Sequence, residues 1–273
     1  MESLTTRPYR EADAAAVAAL YNAVDEAAGG YAAVTAELVE SFVAATVRAP
    51  AHDTRMVVAP DGELVGMAMV PTPPPGGFRV DLWGAVHPAW QGRGLGRELL
   101  GWQLARAATI HDASAPDASW EVQADTLVAD EAAQRLYRRL GMVPARYWFE
   151  MEAATASAPS LPVPDGFQMV GYRSTLDKEV YDAHMEAFGD HWGFQRDEFD
   201  RWTEMSVGSQ LFLPGLSLIA LADGQIAGYV LCYREAEPGR LYVGQVGVRR
   251  PWRRRGLAAA LLVEVLHRAA RAG

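Results

Sequence analysis

The sequence predicts an α/β (mixed α+β) fold of two tandem modules, each a mixed, mostly antiparallel sheet flanked by helices. Three observations predict it. An internal repeat runs at a constant offset of 162 residues, strand and helix patterns follow in the same order in both copies, and the composition is globular. The chain has 273 residues, of which 50% are hydrophobic and 22% charged, and this length favours two domains.

The repeat holds one register from residue 61 to residue 100 without a gap. The turn Asp61-Gly62 recurs as Asp223-Gly224. Other residues match at the same offset: Gly66 and Gly228, Val86 and Val248, Trp90 and Trp252, Gln91 and Arg253, Gly94 and Gly256, Leu99 and Leu261. A register of this length indicates two copies of one module.

A stretch rich in proline and alanine, residues 153–165, separates the copies and carries too little apolar surface to pack. We therefore predict an N-terminal domain over 1–152, a linker over 153–165 and a C-terminal domain over 166–273. The second copy lacks counterparts of residues 112–152, the last strand-helix-strand segment. Its fourth strand should keep an open edge, which we expect a native C-terminal extension to cover, with the first copy or another chain as the alternatives.

Each copy begins with a strand, two helices and a hairpin. Asp13 and Thr175 are suitable N-caps for the first helices, and Asp-Gly between apolar runs is a strong hairpin signal. The predicted ranges in the first copy are 5–10 for the strand, 35–47 for the second helix, and 55–59 and 64–70 for the hairpin. The ranges in the second copy are 167–173, 197–205, 218–222 and 226–233.

A fourth strand, over 78–86 and again over 240–248, leads into a glycine-containing turn and a long helix. In the second copy the helix shows an apolar face at helical spacing through Leu257, Leu261 and Val265. The first copy continues with a strand over 120–126, a helix over 130–140 that ends at Gly141, and a final strand over 147–152.

The charge balance argues against nucleic-acid partners. The chain carries 34 acidic and 25 basic residues, for a net charge of −9, whereas a nucleic-acid binder needs a basic stripe. No stretch approaches the ~18–20 apolar residues of a membrane span, and the N-terminus lacks a signal-peptide core. The lone Cys232 fits a reducing compartment. We expect a cytoplasmic protein with a small-molecule substrate, no membrane partner and no metal site.

The glycine-containing turn in each copy has the features of an anion site. Glycines let the backbone approach a ligand, and the following helix adds unpaired N–H groups and its positive dipole end. The order of residues in these turns matches neither a Walker loop nor a dinucleotide-binding fingerprint. The alternative to an anion site is a tight turn that binds no ligand. The candidate ligand-binding residues are Gln91, Gly92, Arg93, Gly94, Leu95 and Gly96, and Arg253, Arg254, Arg255, Gly256, Leu257 and Ala258.

These motifs carry a resemblance to a known family. Gln91-x-x-Gly94-x-Gly96 resembles the pyrophosphate-binding motif of the GNAT superfamily of acyl-CoA-dependent N-acyltransferases, and Arg253-x-x-Gly256-x-Ala258 resembles it equally well. The segment Ala133-x-x-Leu136-Tyr137-x-x-x-Gly141-Met142 is similar to the family's closing motif, in which a tyrosine lies beside the thioester sulfur. Asp130 stands where the family often has a cofactor-contacting asparagine.

The resemblance implies acetyl-CoA as the cofactor and a set of roles for the residues. Backbone N–H groups near Val86 or Val248 would contact the thioester carbonyl, and Tyr137 would protonate the leaving thiolate. Asp81, on the fourth strand, is the best-placed candidate base. Both side-chain roles have a purely structural alternative, since Tyr137 could be a core aromatic residue and Asp81 a solvated strand residue.

The function implied is transfer of an acetyl group from acetyl-CoA to a primary amine of a small molecule, by direct attack in a ternary complex. No residue is recognisable as an acyl-accepting nucleophile. Acidic and aromatic side chains between the first two helices, such as Asp25, Tyr31 and Asp190, suit an amine with apolar bulk. The alternative is a catalytically silent acyl-CoA-binding sensor or scaffold.

Overall fold

A computed structural model describes residues 4–30, 34–235, 237 and 239–272. The chain divides into two compact units, unit 1 up to Tyr147 and unit 2 from Trp148 onward. Tyr31 lies outside the described residues. No helix in the described ranges combines the length and apolar character needed to cross a membrane.

Unit 1 contains a five-stranded sheet in the order β1-β2-β3-β4-β5. The strands are β1 (Thr5–Arg7), β2 (Thr54–Val58), β3 (Leu64–Met69), β4 (Arg79–Val86) and β5 (Glu121–Ala124). The first three pairings are antiparallel and the β4–β5 pairing is parallel. The sheet is therefore mixed and mostly antiparallel, as the sequence predicted.

Helices cover both faces of this sheet. They are α1 (Ala14–Ala27), α2 (Ala36–Thr46), α3 (Pro50–Asp53), α4 (Leu95–Ser114) and α5 (Glu131–Arg139). On one face, Val17 of α1 and Val39 of α2 are fully buried against Met56 and Met67 of the sheet. On the other face, α4 packs through Leu95, Leu99, Leu100 and Ala107. The layers follow from one apolar stripe on each helix.

Unit 2 contains a four-stranded sheet in the order β6-β7-β8-β9. Its elements are β6 (Gln168–Gly171), α6 (Asp177–Phe188), α7 (Phe199–Met205), β7 (Leu218–Ala222), β8 (Gln225–Arg234), β9 (Leu241–Val248) and α8 (Leu257–Ala272). Its described pairings are all antiparallel. Within the described residues no strand corresponds to β5, so the parallel pairing of unit 1 is not repeated and β9 lies at the edge of this sheet.

The predicted final strand over 147–152 is wrong. That segment contains no strand, and residues 148–152 lie with unit 2. The Trp148 ring stacks on His191 with centroids 5.5 Å apart, and the Glu152 carboxylate pairs with the Arg240 guanidinium. Side-chain contacts hold this segment in place of a backbone ladder.

Candidate functional site

The site of unit 1 begins where β4 changes partners. Residues Arg79 to Leu82 pair with β5, whereas residues Trp83 to Val86 pair only with β3. The upper half of β4 therefore presents an open backbone edge on the side of β5. Gly84, in the middle of this edge, is exposed. The buried Gln103 of α4 donates to the carbonyls of Met69 and Trp83, at 2.9 and 2.7 Å, and fixes the helix to the strand at this point.

The glycine turn follows directly on this edge. Gly92 and Gly94 have φ values of +74° and +92°, a conformation that favours glycine. No atom lies within 4 Å of a Cβ placed at Gly94, and no side chain caps α4 there. The first N–H groups of α4 are therefore available to an anion. The Gln91 side chain donates to the Val86 carbonyl at 3.3 Å and ties the turn to the end of β4.

The other predicted turn residues have different positions. The Arg93 guanidinium lies 4.7 Å from the Trp90 ring centroid and donates to the Ala89 carbonyl, so it folds back on the turn. Leu95 is a buried core residue at the start of α4. A Cβ at Gly96 would lie 3.2 Å from Leu136 Cδ2, so this glycine allows α5 to approach α4 closely.

A cavity of about 360 Å³ joins the open edge of β4 to the glycine turn. The predicted residues Val86, Gln91, Gly92, Gly94, Gly96 and Tyr137 all line it. The Tyr137 hydroxyl donates to the Asp125 carbonyl at 3.3 Å. Burial, with Asp130 and Asp125 nearby, raises the pKa of Tyr137 to about 12, so the phenol keeps its proton at neutral pH. Asp130 itself caps α5, accepting from the Ala133 N–H at 2.9 Å.

Asp81 is not among the residues that line this cavity. Its carboxylate pairs with Arg79 Nε at 3.1 Å. Burial raises the pKa of Asp81 against the opposing effect of Arg79, and the nearby Asp125 raises it further. Asp25, on α1, is an acidic residue that does line the cavity.

The sequence did not single out Tyr21, which also lines the cavity from α1. Burial, with Tyr137 and Asp25 nearby, raises the pKa of Tyr21 far above the usual value, against the opposing effect of the Gly84 backbone N–H. Helical spacing indicates only that Tyr21 is partly buried. Its place beside the open edge of β4 depends on how α1 packs across the sheet.

Unit 2 repeats the turn with different chemistry. Gly256 has a φ of +79°, but the counterpart of Gly92 is Arg254, with a φ of +64°. Arg253 donates to the carbonyls of Val248 and Ala187, and its third contact is an ion pair with Asp190 at 2.8 Å. Arg253 therefore anchors the turn to the end of α6. Among the described residues, Arg254 and Arg255 form no ion pair.

A cavity of about 550 Å³ adjoins this second turn. The predicted residues Val248, Arg253, Arg254, Gly256, Leu257 and Ala258 line it; Arg255 does not. Asp190, which sequence reasoning placed in an amine-binding region, is instead paired with Arg250 and Arg253.

Unit 2 also holds a polar pair that the sequence did not indicate. His184 Nδ1 lies 2.6 Å from the Tyr229 hydroxyl, and burial lowers the pKa of His184 to about 4. A Cβ at Gly247 would lie 2.5 Å from the Tyr229 ring. In the register of unit 1, Tyr229 and Gly247 correspond to Met67 and Ala85.

The described ranges hold no group of three or more His, Cys, Asp or Glu side chains that could bind a metal ion. The candidate sites therefore consist of backbone donors at the two turns and, in unit 1, of tyrosine hydroxyls beside an open strand edge.

Comparisons with known proteins identify the family. A sequence model of the acetyltransferase (GNAT) family matches residues 178–273, and one of the acetyltransferase (GNAT) domain matches residues 51–143. The mycothiol acetyltransferase of Salinispora tropica is 30% identical over 73% of this chain and 62% of its own length. The mycothiol acetyltransferase of Thermobispora bispora is 30% identical over 76% and 68%. The chain thus spans less than two thirds of the first relative.

Solved structures show the same architecture. A GCN5-related N-acetyltransferase from Sphaerobacter thermophilus is 30% identical, with a TM-score of 0.75 over 99% of this chain and 84% of that one. A tandem GNAT protein from the clavulanic acid biosynthesis pathway, 19% identical, has the same fold, with a TM-score of 0.65 over 99% and 86%. The chain belongs to the GNAT acetyltransferase family, in a tandem arrangement.

Proposed function

We propose that the chain is a cytoplasmic, acetyl-CoA-dependent N-acetyltransferase that acetylates a primary amine of a small molecule. One observation carries the proposal. In unit 1, an uncapped helix start, an open strand edge and the Tyr137 hydroxyl border one cavity. These are the groups needed to hold an anion, to bind an extended amide-containing chain and to assist a leaving thiolate.

The residues present fit acetyl-CoA. Its pyrophosphate would bind the N–H groups from Gly92 to Gly96, where the positive φ values and the uncapped helix direct donors outward. Its pantetheine arm would pair with the open edge of β4 up to Val86. The second turn, from Arg253 to Ala258, offers an equivalent anion site. Arg253 would act there by fixing the turn, because each of its three side-chain nitrogens already makes a hydrogen bond within the protein.

Direct attack of the amine on acetyl-CoA within a ternary complex requires no covalent enzyme intermediate. The amine nitrogen forms a bond to the thioester carbon, the C–S bond breaks, and the electron pair leaves on sulfur. The Tyr137 hydroxyl donates a hydrogen bond to this developing thiolate. A phenol with a pKa of about 12 is a weaker acid than a thiol of pKa ~8.5. Hydrogen-bond donation therefore comes first. The thiolate then takes its proton through Tyr137, which regains a proton from water.

The proton released by the amine needs an acceptor. The raised pKa of Asp81 would make this carboxylate a stronger base. Because it lies outside the cavity lining, it would act through water. Asp25 gives the cavity a negative side chain that favours an amine. The two relatives named mycothiol acetyltransferases make their amine acceptor the first compound to assay.

The test is amine-dependent release of CoA from acetyl-CoA, measured on the full chain with a panel of primary amines. The panel includes the acceptor of the mycothiol acetyltransferases. Release with at least one amine, together with its N-acetylated product by mass spectrometry, supports the proposal. Tight binding of acetyl-CoA without turnover of any amine would instead support the silent sensor.

A further inference from the structure

Tyr21 lines the cavity of unit 1 together with Tyr137 and has no part in the reaction described above. It lies on α1, whereas Tyr137 lies on α5. The two phenols are close enough that Tyr137 raises the pKa of Tyr21. Two neutral hydroxyls therefore share one cavity beside the open edge of β4.

Aromatic packing fixes the Tyr21 ring. It meets Trp83 edge to face, with centroids 5.4 Å apart. Trp83 in turn stacks on Phe42 of α2, with centroids 3.6 Å apart and planes 8° from parallel. A ring held by such contacts loses little conformational freedom when it binds a substrate atom.

The Gly84 N–H acts on the same part of the cavity. Gly84 lies on the part of β4 that has no β5 partner and lines the cavity together with Tyr21. Its N–H opposes the rise in the pKa of Tyr21, because a backbone N–H favours negative charge on a nearby oxygen. Burial keeps the proton on the Tyr21 phenol, since it disfavours the phenolate.

We propose that Tyr21 is a second catalytic residue of unit 1, whose hydroxyl donates to the thioester oxygen as negative charge develops on it. This inference rests on the proposed acetyl transfer. As the amine nitrogen bonds to the carbonyl carbon, the C=O electron pair moves to oxygen and is stabilised by the Tyr21 O–H. When the C–S bond breaks, the pair returns to re-form the carbonyl. Tyr21 neither gains nor loses a proton.

Unit 2 lacks this arrangement. The eighth residue of α6, as Tyr21 is of α1, is His184, whose Nδ1 lies 2.6 Å from the Tyr229 hydroxyl. The counterparts of Trp83 and Gly84 are Gln245 and Val246. The tyrosine beside an open glycine N–H is therefore a property of unit 1.

The experiment compares Tyr21→Phe with wild type in the full chain, using the amine that gives the fastest CoA release. Removing one oxyanion donor costs ~10²–10³-fold in turnover in other enzymes, so kcat should fall by about 10²-fold. The dissociation constant for acetyl-CoA, measured by calorimetry, should stay within about twofold, because the donor acts on charge that forms only in the transition state.

Tyr181→Phe is the matched control. It also removes a buried tyrosine hydroxyl, one that donates to the Asp197 carbonyl at 2.7 Å in unit 2, and kcat should not change. A double variant, Tyr21→Phe with Tyr137→Phe, should be slower than either single variant.

Full kcat in a Tyr21→Phe protein with wild-type melting temperature would overturn this role while leaving the proposed function intact. A faster reaction or tighter acetyl-CoA binding would overturn it too, since Tyr21 would then be a plug on the Gly84 N–H. Absence of turnover by wild type with every amine would reject the proposed function itself.

Discussion

The two units share the turn but not the wall of the cavity beside it. In both, the first side chain of the turn donates to the carbonyl at the end of the preceding strand, Gln91 to Val86 and Arg253 to Val248. Beside the turn, unit 1 has Met67 in the cavity lining, whereas the matching Tyr229 of unit 2 is not among the lining residues of its cavity. A feature repeated in both copies belongs to the module, whereas a feature present in one copy marks what that copy does.

The difference at these strand positions carries a free-energy cost, and that cost points to a function. The core of unit 2 contains the buried Tyr229 hydroxyl and the half-buried His184 imidazole. Burial of polar groups is unfavourable unless they are paired. Unit 1 forms the same fold with apolar residues at the strand positions. The fold therefore does not require the polar group of unit 2, just as unit 2 does not require the tyrosine pair of unit 1.

The largest effect should come from blocking both turns. Gly94→Glu with Gly256→Glu places a carboxylate against the pyrophosphate and forces a side chain into a φ near +90° or +80°, so acetyl-CoA binding should be lost in calorimetry. Gly62→Glu is the control, because Gly62 has a φ of +93° and equally open surroundings. Unchanged cofactor affinity in the double variant would show that neither turn binds the pyrophosphate.

Tyr137→Phe should reduce turnover by ~10²–10⁴-fold, the usual value of a general acid, with little change in acetyl-CoA affinity. The ring stays and only the donor is removed. Rapid-quench measurement of a single turnover would separate chemistry from product release. If turnover were unaffected, the reaction would have to occur in unit 2 or use another donor.

Gly247→Ala should destabilise unit 2 by ~1–3 kcal/mol, a typical cost of overpacking. The added methyl would lie 2.5 Å from the Tyr229 ring. Adding Tyr229→Met recreates the Met67–Ala85 pair of unit 1 and should recover most of the loss. Urea unfolding followed by amide exchange in β8 and β9 would measure both changes; equal stability of Gly247→Ala and wild type would refute the packing argument.

Acid should weaken unit 2 through His184. Burial lowers the pKa of His184 in the folded chain to about 4, below its ordinary value of 6.5, so the unfolded chain binds more protons between these values. Stability is therefore lost as the pH falls from 6.5 towards 4, by about 2 kcal/mol after allowance for partial exposure. His184→Gln should remove this loss and His191→Gln should not. A His184→Gln protein with wild-type acid sensitivity would contradict this assignment.

The sequence predicted most of the fold because the local signals agree with the packing. Asp61-Gly62 and Asp223-Gly224 lie in hairpin turns, with φ values of +93° and +75° at the two glycines, and Thr35 caps α2 through its hydroxyl. Both glycine turns were predictable from the repeat for the same reason, because the residues that form each turn are close together in the sequence.

What the sequence missed depends on contacts between distant segments. The pattern of residues 147–152 is that of a strand, but a strand needs a free partner edge, and Trp148 packs on His191 instead. Tyr21 reaches Gly84 only because α1 crosses the sheet at the open edge of β4. The Arg250–Asp190–Arg253 cluster joins side chains about sixty residues apart. No spacing rule in a single sequence indicates such pairs.

A crystal structure of the chain with acetyl-CoA would test the proposed site of unit 1 most directly. We expect pyrophosphate oxygens on the N–H groups of Gly92 to Gly96, the thioester oxygen at the Tyr21 hydroxyl, and the sulfur within hydrogen-bond reach of Tyr137. Acetyl-CoA bound only in unit 2, or bound in unit 1 with its sulfur beyond about 4 Å from the Tyr137 oxygen, would contradict acetyl transfer by unit 1.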